Sequence, residues 1–196
     1  FQIQSGYFNN RTTGTPLCIT IKNSDQHSKD YEKTKSLLRP SHADYTGFIK
    51  YEGFNDYRGG GHFSGRLTAP IVFAGAVAKQ ILKKQGIIIG SHIKSIGTVE
   101  DNYFDSVNIK KELLEELSKK EFPTIDEEKA LKMKEEILKA REELDSIGGI
   151  VECAILNLPA GIGSPFFNSV ESILSSLMFS IPAVKGVEFG AGFNIS

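Results

Sequence analysis

Between Arg39 and Thr68 the chain gathers most of the side chains that could do chemistry. One run reads Arg39-Pro40-Ser41-His42-Ala43-Asp44-Tyr45. A second reads Asp56-Tyr57-Arg58-Gly59-Gly60-Gly61-His62-Phe63-Ser64-Gly65-Arg66-Leu67-Thr68. Glycine lets backbone approach a ligand closely and turn through positive φ, and four of the seven residues from Gly59 to Gly65 are Gly. A loop of this kind running into a helix start presents N–H groups to an anion. Arg39, Arg58 and Arg66 add fork-shaped donors that match carboxylate and phosphate. His42 adds a group that exchanges a proton near neutral pH. The loop is neither the spaced-Gly phosphate loop with its Lys-Ser/Thr ending nor GxGxxG. The residues by themselves therefore suggest an anion site without naming a reaction, and a merely flexible turn stays open beside it. His27 and His92 are expected to be structural.

These residues must be held by an ordered frame. Leu17 to Lys22 alternates apolar and polar, as a half-buried strand does. Ile71 to Lys84 places Ile71, Ala74, Ala78, Ile81 and Leu82 on one helical stripe, with Thr68 as N-cap and Pro70 in the first turn. Ile87 to Val99 reads as a strand with an irregularity at Gly90, and Val151 to Leu158 as another. Phe166 to Phe179 is a helix candidate and Val184 to Phe189 a short strand. Together these predict a mixed α/β or α+β domain.

Charge and glycine are unevenly spread. The total charge is −1, yet residues 1–104 carry +5, 105–145 carry −4 and 146–196 carry −2. No Gly lies between Gly97 and Gly148. The charged stretch reads as a helical hairpin over 105–147, Lys110 to Ser118 and Glu127 to Leu144, broken at Phe122-Pro123-Thr124. Ala130, Met133, Ile137, Ala140 and Leu144 share one face, with Asp126 as N-cap. It is either a partner-binding element or a solvated amphipathic hairpin packed on the body; the second is the plainer expectation.

The chain has 196 residues, 40% hydrophobic and 24% charged, with two Cys. A single domain over 1–196 is the natural count. The composition excludes a disordered tail, a fibre and a disulfide scaffold. No apolar run approaches the roughly 18 residues a membrane span needs, and no Lys/Arg run argues for nucleic acid. Cys18 and Cys153 lack metal-type spacing, which fits a reducing, cytoplasmic setting. The chain begins at Phe1 without Met.

The ordered pieces resemble the chorismate synthase family. The family's Arg-Pro-Gly/Ser-His-Ala-Asp-Tyr is met at Arg39 to Tyr45, its Lys-Tyr at Lys50-Tyr51, and its Asp-Tyr-Arg-Gly-Gly-Gly at Asp56 to Gly61. Ser-x-Arg-x-Thr follows at Ser64, Arg66 and Thr68, and Ala-Gly-Ala-x-Ala-Lys at Ala74 to Lys79. Upstream, Ser5-Gly6, Thr12 to Pro16 and Asn23-x-Asp25 fit; downstream, Ile181 to Gly190 and Gly192-Phe193 fit. The resemblance implies a β-α-β sandwich with an added charged hairpin, and typically a homotetramer. It also implies a 1,4-elimination of phosphate from 5-enolpyruvylshikimate-3-phosphate, giving chorismate, with reduced FMN required despite no net redox change. By the same resemblance His42 is catalytic, Arg39 and Arg66 bind substrate, and His62, Phe63 and Ser64 lie on the flavin side.

The loop departs from the common Gly-Gly-Gly-Arg-Ser-Ser-Ala-Arg-Glu-Thr. His62 and Phe63 replace Arg and the first Ser, Gly65 the Ala, and Leu67 the Glu. The family's Gly-Glu-Ser-His and Asn-Ala-Gly-Gly segments and its late Arg- and Asp-bearing motif find no match. The expectation is therefore a central part of the enzyme, inactive by itself. The competing expectation is a non-enzymatic anion-binding or scaffolding module with the same fold.

Overall fold

The computed structural model describes residues 1–24, 27, 31–32 and 35–195. Asp25, part of the Asn23-x-Asp25 piece, lies outside the described residues. The chain divides into two compact units. One runs from Phe1 to Gly75 and resumes at Gly163; the other runs from Ala76 to Ile162.

In the first unit, β1 (Gln2–Ser5) pairs antiparallel with β4 (Cys18–Thr20), with a bulge between Ile3 and Ser5. β2 (Tyr7–Phe8) and β3 (Arg11–Thr12) form a hairpin. Its two-residue turn, Asn9-Asn10, has φ of 46° and 60°. Positive φ at both positions matches the right-handed twist of the strands, and Asn tolerates it. The strand expected over Leu17 to Lys22 thus shortens to three residues. A helix that the periodicity did not announce, α1 (Asp44–Lys50), begins inside the Arg39–Tyr45 run.

α2 (Thr68–Lys84) starts where the Gly-rich loop ends, and Thr68 Oγ1 donates to the Gly65 carbonyl at 2.7 Å. The expected apolar stripe is not a buried one: Ile71 and Ile81 are exposed, while Phe73, Val77 and Leu82 are half-buried. Phe166 to Phe179 is not one helix. A 3-10 turn over Phe166–Asn168 precedes α5 (Val170–Phe179), because Ser169 caps α5 by accepting from Ser172 N at 3.1 Å. The strand expected at Val184 to Phe189 is absent. The segment enters through a turn at Ala183 (φ 70°), and no described strand offers it a ladder. Among the described residues of this unit only Gly6 and Gly47 are buried, while Phe166, Phe167 and Phe193 stand almost fully exposed.

The second unit carries a core. β5 (Ile88–Ile96), β6 (Val99–Glu100) and β7 (Gly149–Leu156) form an antiparallel sheet in the order β6-β5-β7. The single strand expected over Ile87 to Val99 is cut at Gly97, whose φ of 55° makes the β5–β6 turn. The irregularity falls at Ile93/Ser95, not at Gly90. Gly90 has a different use. Leu114 Cβ lies 2.7 Å from where a Gly90 side chain would start, so the missing Cβ lets a helix sit on the sheet.

That helix is α3 (Lys111–Leu117), followed by α4 (Glu127–Glu142). Leu114, Leu117, Phe104 and Ala154 pack into one cluster, joined by Ile88, Ile109, Leu113, Ile125 and Leu156. Burying a side chain such as Leu114 contributes about 1.5–3 kcal/mol. The charged hairpin therefore supplies core to its own unit. Asp126 caps α4 as expected, accepting from Glu128 N at 2.8 Å. The α4 stripe is buried only at its start: Ala130 and Met133 are buried, whereas Leu144 is exposed.

His92 is structural, as expected, and fully buried. Its Nδ1 lies 3.0 Å from Asp101 Oδ2 and its Nε2 2.8 Å from Glu152 Oε2. Asp101 also accepts from Ile125 N (2.6 Å) and Asp126 N (2.9 Å), and Glu152 from Phe104 N (3.2 Å). This cluster ties the sheet to the turn that joins α3 and α4, and it satisfies its own buried polar atoms.

Candidate functional site

The Arg39–Tyr45 run is a turn followed by a helix. His42 N donates to the Arg39 carbonyl at 3.4 Å across Pro40-Ser41. Arg39 then closes a two-pronged fork on Asp44, with Nε–Oδ2 at 2.8 Å and Nη2–Oδ1 at 3.0 Å, and its own backbone N–H adds a bond of 3.1 Å. The guanidinium holds the Asp44 carboxyl down to about 2, and the carboxylate in turn raises Arg39. The fork engages two of the five guanidinium N–H donors, so three are left for an anion.

His42 is exposed, and its Nδ1 lies 3.0 Å from the Pro40 carbonyl. A carbonyl only accepts, so Nδ1 carries the hydrogen and Nε2 is left as the ring's acceptor atom.

The Gly-rich loop coils as a distorted 3-10 stretch over Arg58–Phe63, with Gly59, Gly60 and Gly61 at φ of 61°, 80° and 54°. Positive φ at three consecutive positions is what required glycine there. Gly60 N is used internally, donating to Tyr57 O at 3.3 Å. Arg58 repeats the Arg39 arrangement with Asp56: Nε–Oδ1 2.9 Å, Nη2–Oδ2 2.8 Å. That bond draws the Asp56 carboxyl down to about 2. The Arg66 guanidinium lies directly over Gly59, in the space a side chain there would take. Arg66 has no carboxylate within ion-pair distance among the described residues, and its charge reaches Asp56 only through space.

Beside this turn and loop lies a cleft of about 500 Å³. Four aromatic residues line it, Tyr31, Phe48, Tyr57 and Phe63, together with Leu37 and Leu38, Asn55, the charged Lys35, Arg39 and Asp44, and Gly53 and Gly60. Of the expected site residues, Arg39 and Phe63 line it. Phe63 also packs its ring against Gly47 of α1 and Tyr51. His42, His62, Ser64 and Arg66 do not line it. His62 is exposed. Ser64 caps the Gly65–Leu67 turn through its hydroxyl, which accepts from Arg66 N at 3.4 Å.

Two carboxylates and several rings escaped the sequence reading. Asp44 and Asp56 sat in plain view within the motifs, five residues after Arg39 and two before Arg58. Tyr31, Lys35 and Phe48 gave no signal, because only folding brings them to one cleft. A cleft with aromatic walls, two cations and close-lying backbone suits a planar aromatic anion. No group of three or more His, Cys, Asp or Glu placed to hold a metal occurs among the described residues.

A profile of the chorismate synthase family matches residues 1–196. The chain belongs to the chorismate synthase family. Chorismate synthase of Pyrococcus abyssi is 52% identical over 195 residues, which cover 99% of this chain and 52% of the relative. Chorismate synthase of Dehalococcoides mccartyi is 47% identical over 195 residues, covering all of this chain and again 52% of the relative. A crystal structure of chorismate synthase matches with a TM-score of 0.78 and 33% identity, covering 98% of this chain and 55% of that one. The mixed α and β fold is thus that of a chorismate synthase. The chain spans about half the length of the relatives it matches, and the relatives' name does not favour the scaffolding alternative.

Proposed function

We propose that the chain is part of an enzyme that eliminates phosphate from 5-enolpyruvylshikimate-3-phosphate, forming chorismate with reduced FMN. The observation that carries this reading is the single turn that presents both Arg39, on the cleft wall, and His42. Substrate and cofactor together bring two phosphates and two carboxylates, so several fixed cationic donors are needed in one place. Asp44 and Asp56 hold Arg39 and Arg58 in defined directions before any ligand arrives. Donors fixed in advance stabilise charge that develops on a leaving phosphate without reorganising at the moment of reaction.

Arg39 and Arg66 are assigned to the substrate's anionic groups. His42 holds or moves a proton at Nε2, a contribution typically worth about 10²–10⁴-fold. Phe63, with Tyr57 and Phe48, would flank the flavin ring, and the backbone at Gly60 would lie close to it. His62 and Ser64 stay assigned to the flavin side, Ser64 through the turn it caps. Reduced FMN, when bound, supplies the electron chemistry of the elimination.

The 196 residues alone would be inactive. Support comes from their half-length match and from the near absence of buried side chains in the first unit. The full-length enzyme would be a cytoplasmic homotetramer, with the many exposed apolar side chains of the first unit covered in it. No described helix is long and apolar enough to cross a membrane.

The test is His42→Ala in the full-length enzyme. Chorismate formation should fall by about 10²-fold or more with the unfolding midpoint unchanged. Near-normal turnover would remove His42 from the reaction.

A further inference from the structure

Ser41 is one of eight non-glycine residues with positive φ among the described residues, at φ of 62°. It stands between the two residues that matter most at the site. Its place in the turn explains why it adopts that conformation. Pro40 occupies the second position and Ser41 the third, and His42 N returns to Arg39 O. Proline at the second position with positive φ at the third is the type II turn, whose third position ordinarily calls for Gly or Asn. The Ser41 hydroxyl has no hydrogen-bond partner among the described residues, so side-chain bonding does not account for the conformation. Backbone held in a sparsely populated region persists only where its surroundings enforce it, and such positions gather at functional sites.

The consequence falls on His42. The turn folds its ring back over Pro40, where Nδ1 donates to the Pro40 carbonyl at 3.0 Å. A type I turn, which any L residue at the third position accepts, rotates the peptide between the second and third residues and carries the Pro40 carbonyl away from that direction.

We propose that Ser41 is a positioning residue: its left-handed backbone sets the turn that fixes His42 in the Nδ1–H form and leaves Nε2 free. The role rests on the reading of His42 as the proton-handling group. It predicts that what matters at position 41 is access to positive φ, not the hydroxyl. Gly and Asn enter that region readily; Ala does so at a cost, and Val, branched at Cβ, is strongly disfavoured.

The experiment is a series in the full-length enzyme: Ser41→Gly, Ser41→Asn, Ser41→Ala and Ser41→Val. Each is read by steady-state kinetics and by ¹⁵N NMR of labelled histidine, with the His42 signal assigned by its loss in His42→Ala. Ser41→Val should lose the pyrrole-like Nδ1 and pyridine-like Nε2 signature and drop kcat by about 10- to 100-fold, with KM little changed. Ser41→Gly and Ser41→Asn should keep both readouts, and so should Ser41→Ala, which removes only a hydroxyl without a partner among the described residues. If Val prevents folding, Ser41→Thr, likewise branched at Cβ, against Gly carries the same comparison.

An unmoved tautomer with reduced turnover overturns the positioning role alone. A moved tautomer with unchanged turnover overturns the catalytic reading of His42 and the positioning role with it. Loss in Ser41→Gly equal to that in Ser41→Val also overturns the proposal, since the hydroxyl rather than the turn would then be what counts.

Discussion

The guanidinium of Arg66 rests on Gly59, occupying the volume that any side chain at position 59 would need. Gly59 is held at φ 61° by the coil of the loop, so two separate constraints meet at one residue. The loop glycines thus do more than bend the chain. They make room for a cation that lacks a carboxylate partner among the described residues.

Gly59→Ala should therefore act on binding more than on stability. The new Cβ displaces the far end of a flexible side chain, while the left-handed backbone costs about 1 kcal/mol with Ala. In the full-length enzyme we expect a small fall in the unfolding midpoint. We also expect a roughly tenfold rise in KM for the phosphorylated substrate, the scale of one lost hydrogen bond to a charged group. An unchanged KM would mean that Arg66 does not meet the substrate from this position.

The Arg39–Asp44 fork gives a pH dependence of known sign. Asp44 is held at about 2 in the folded chain, against about 3.9 for a free Asp. Its contribution to stability is present above the free value and is lost as pH falls through the window from about 4 to 2. The pair is only partly shielded, with Arg39 half exposed, so the effect is small. Urea midpoints of the wild type and Asp44→Asn, followed from pH 6 to pH 2, should converge as the acid limb is reached. A gap that stays constant across that window would show that the fork adds no net stability through charge.

Removing His92 should be far more damaging than removing an exposed histidine. Its ring separates two carboxylates inside the second unit, and the backbone partners of Asp101 anchor the turn before α4. His92→Ala leaves Asp101 and Glu152 facing each other without the ring, which should cost about 3–5 kcal/mol. Chemical denaturation checks this, and hydrogen exchange should show the Ile125 and Asp126 amides losing protection first. A cost below about 1 kcal/mol would mean the cluster relaxes by taking in water.

Much of the helical frame was legible because periodicity reports it directly. Thr68 to Lys84 and Glu127 onward carry long apolar repeats with caps or breakers at their ends, and both helices form. The sheet was less so. A run of β-branched residues marks strand, but whether it stays one strand depends on a turn residue such as Gly97, and Val184 to Phe189 forms no strand because none among the described residues pairs with it. α1 was missed because seven residues are too short for a repeat to declare itself. At the site, the motifs singled out Arg39, His42 and Arg66 as candidates, and of these Arg39 lines the cleft. They did not show that Asp44 grips Arg39 and Asp56 grips Arg58, nor that Phe63 packs on Gly47.

The family membership, the candidate charged and histidine residues, and the helical hairpin were all determined by residue type and local spacing, which survive without a fold. The tertiary structure decided what those residues face: Arg66 over Gly59, His42 turned back on Pro40, and His92 between two carboxylates. It also decided that the charged hairpin is part of a core, because only a folded chain brings Leu114 against Gly90. Spacing sets which side chains share an element's face; what lies opposite that face is set by contacts distant in sequence, and those form only when the chain is packed.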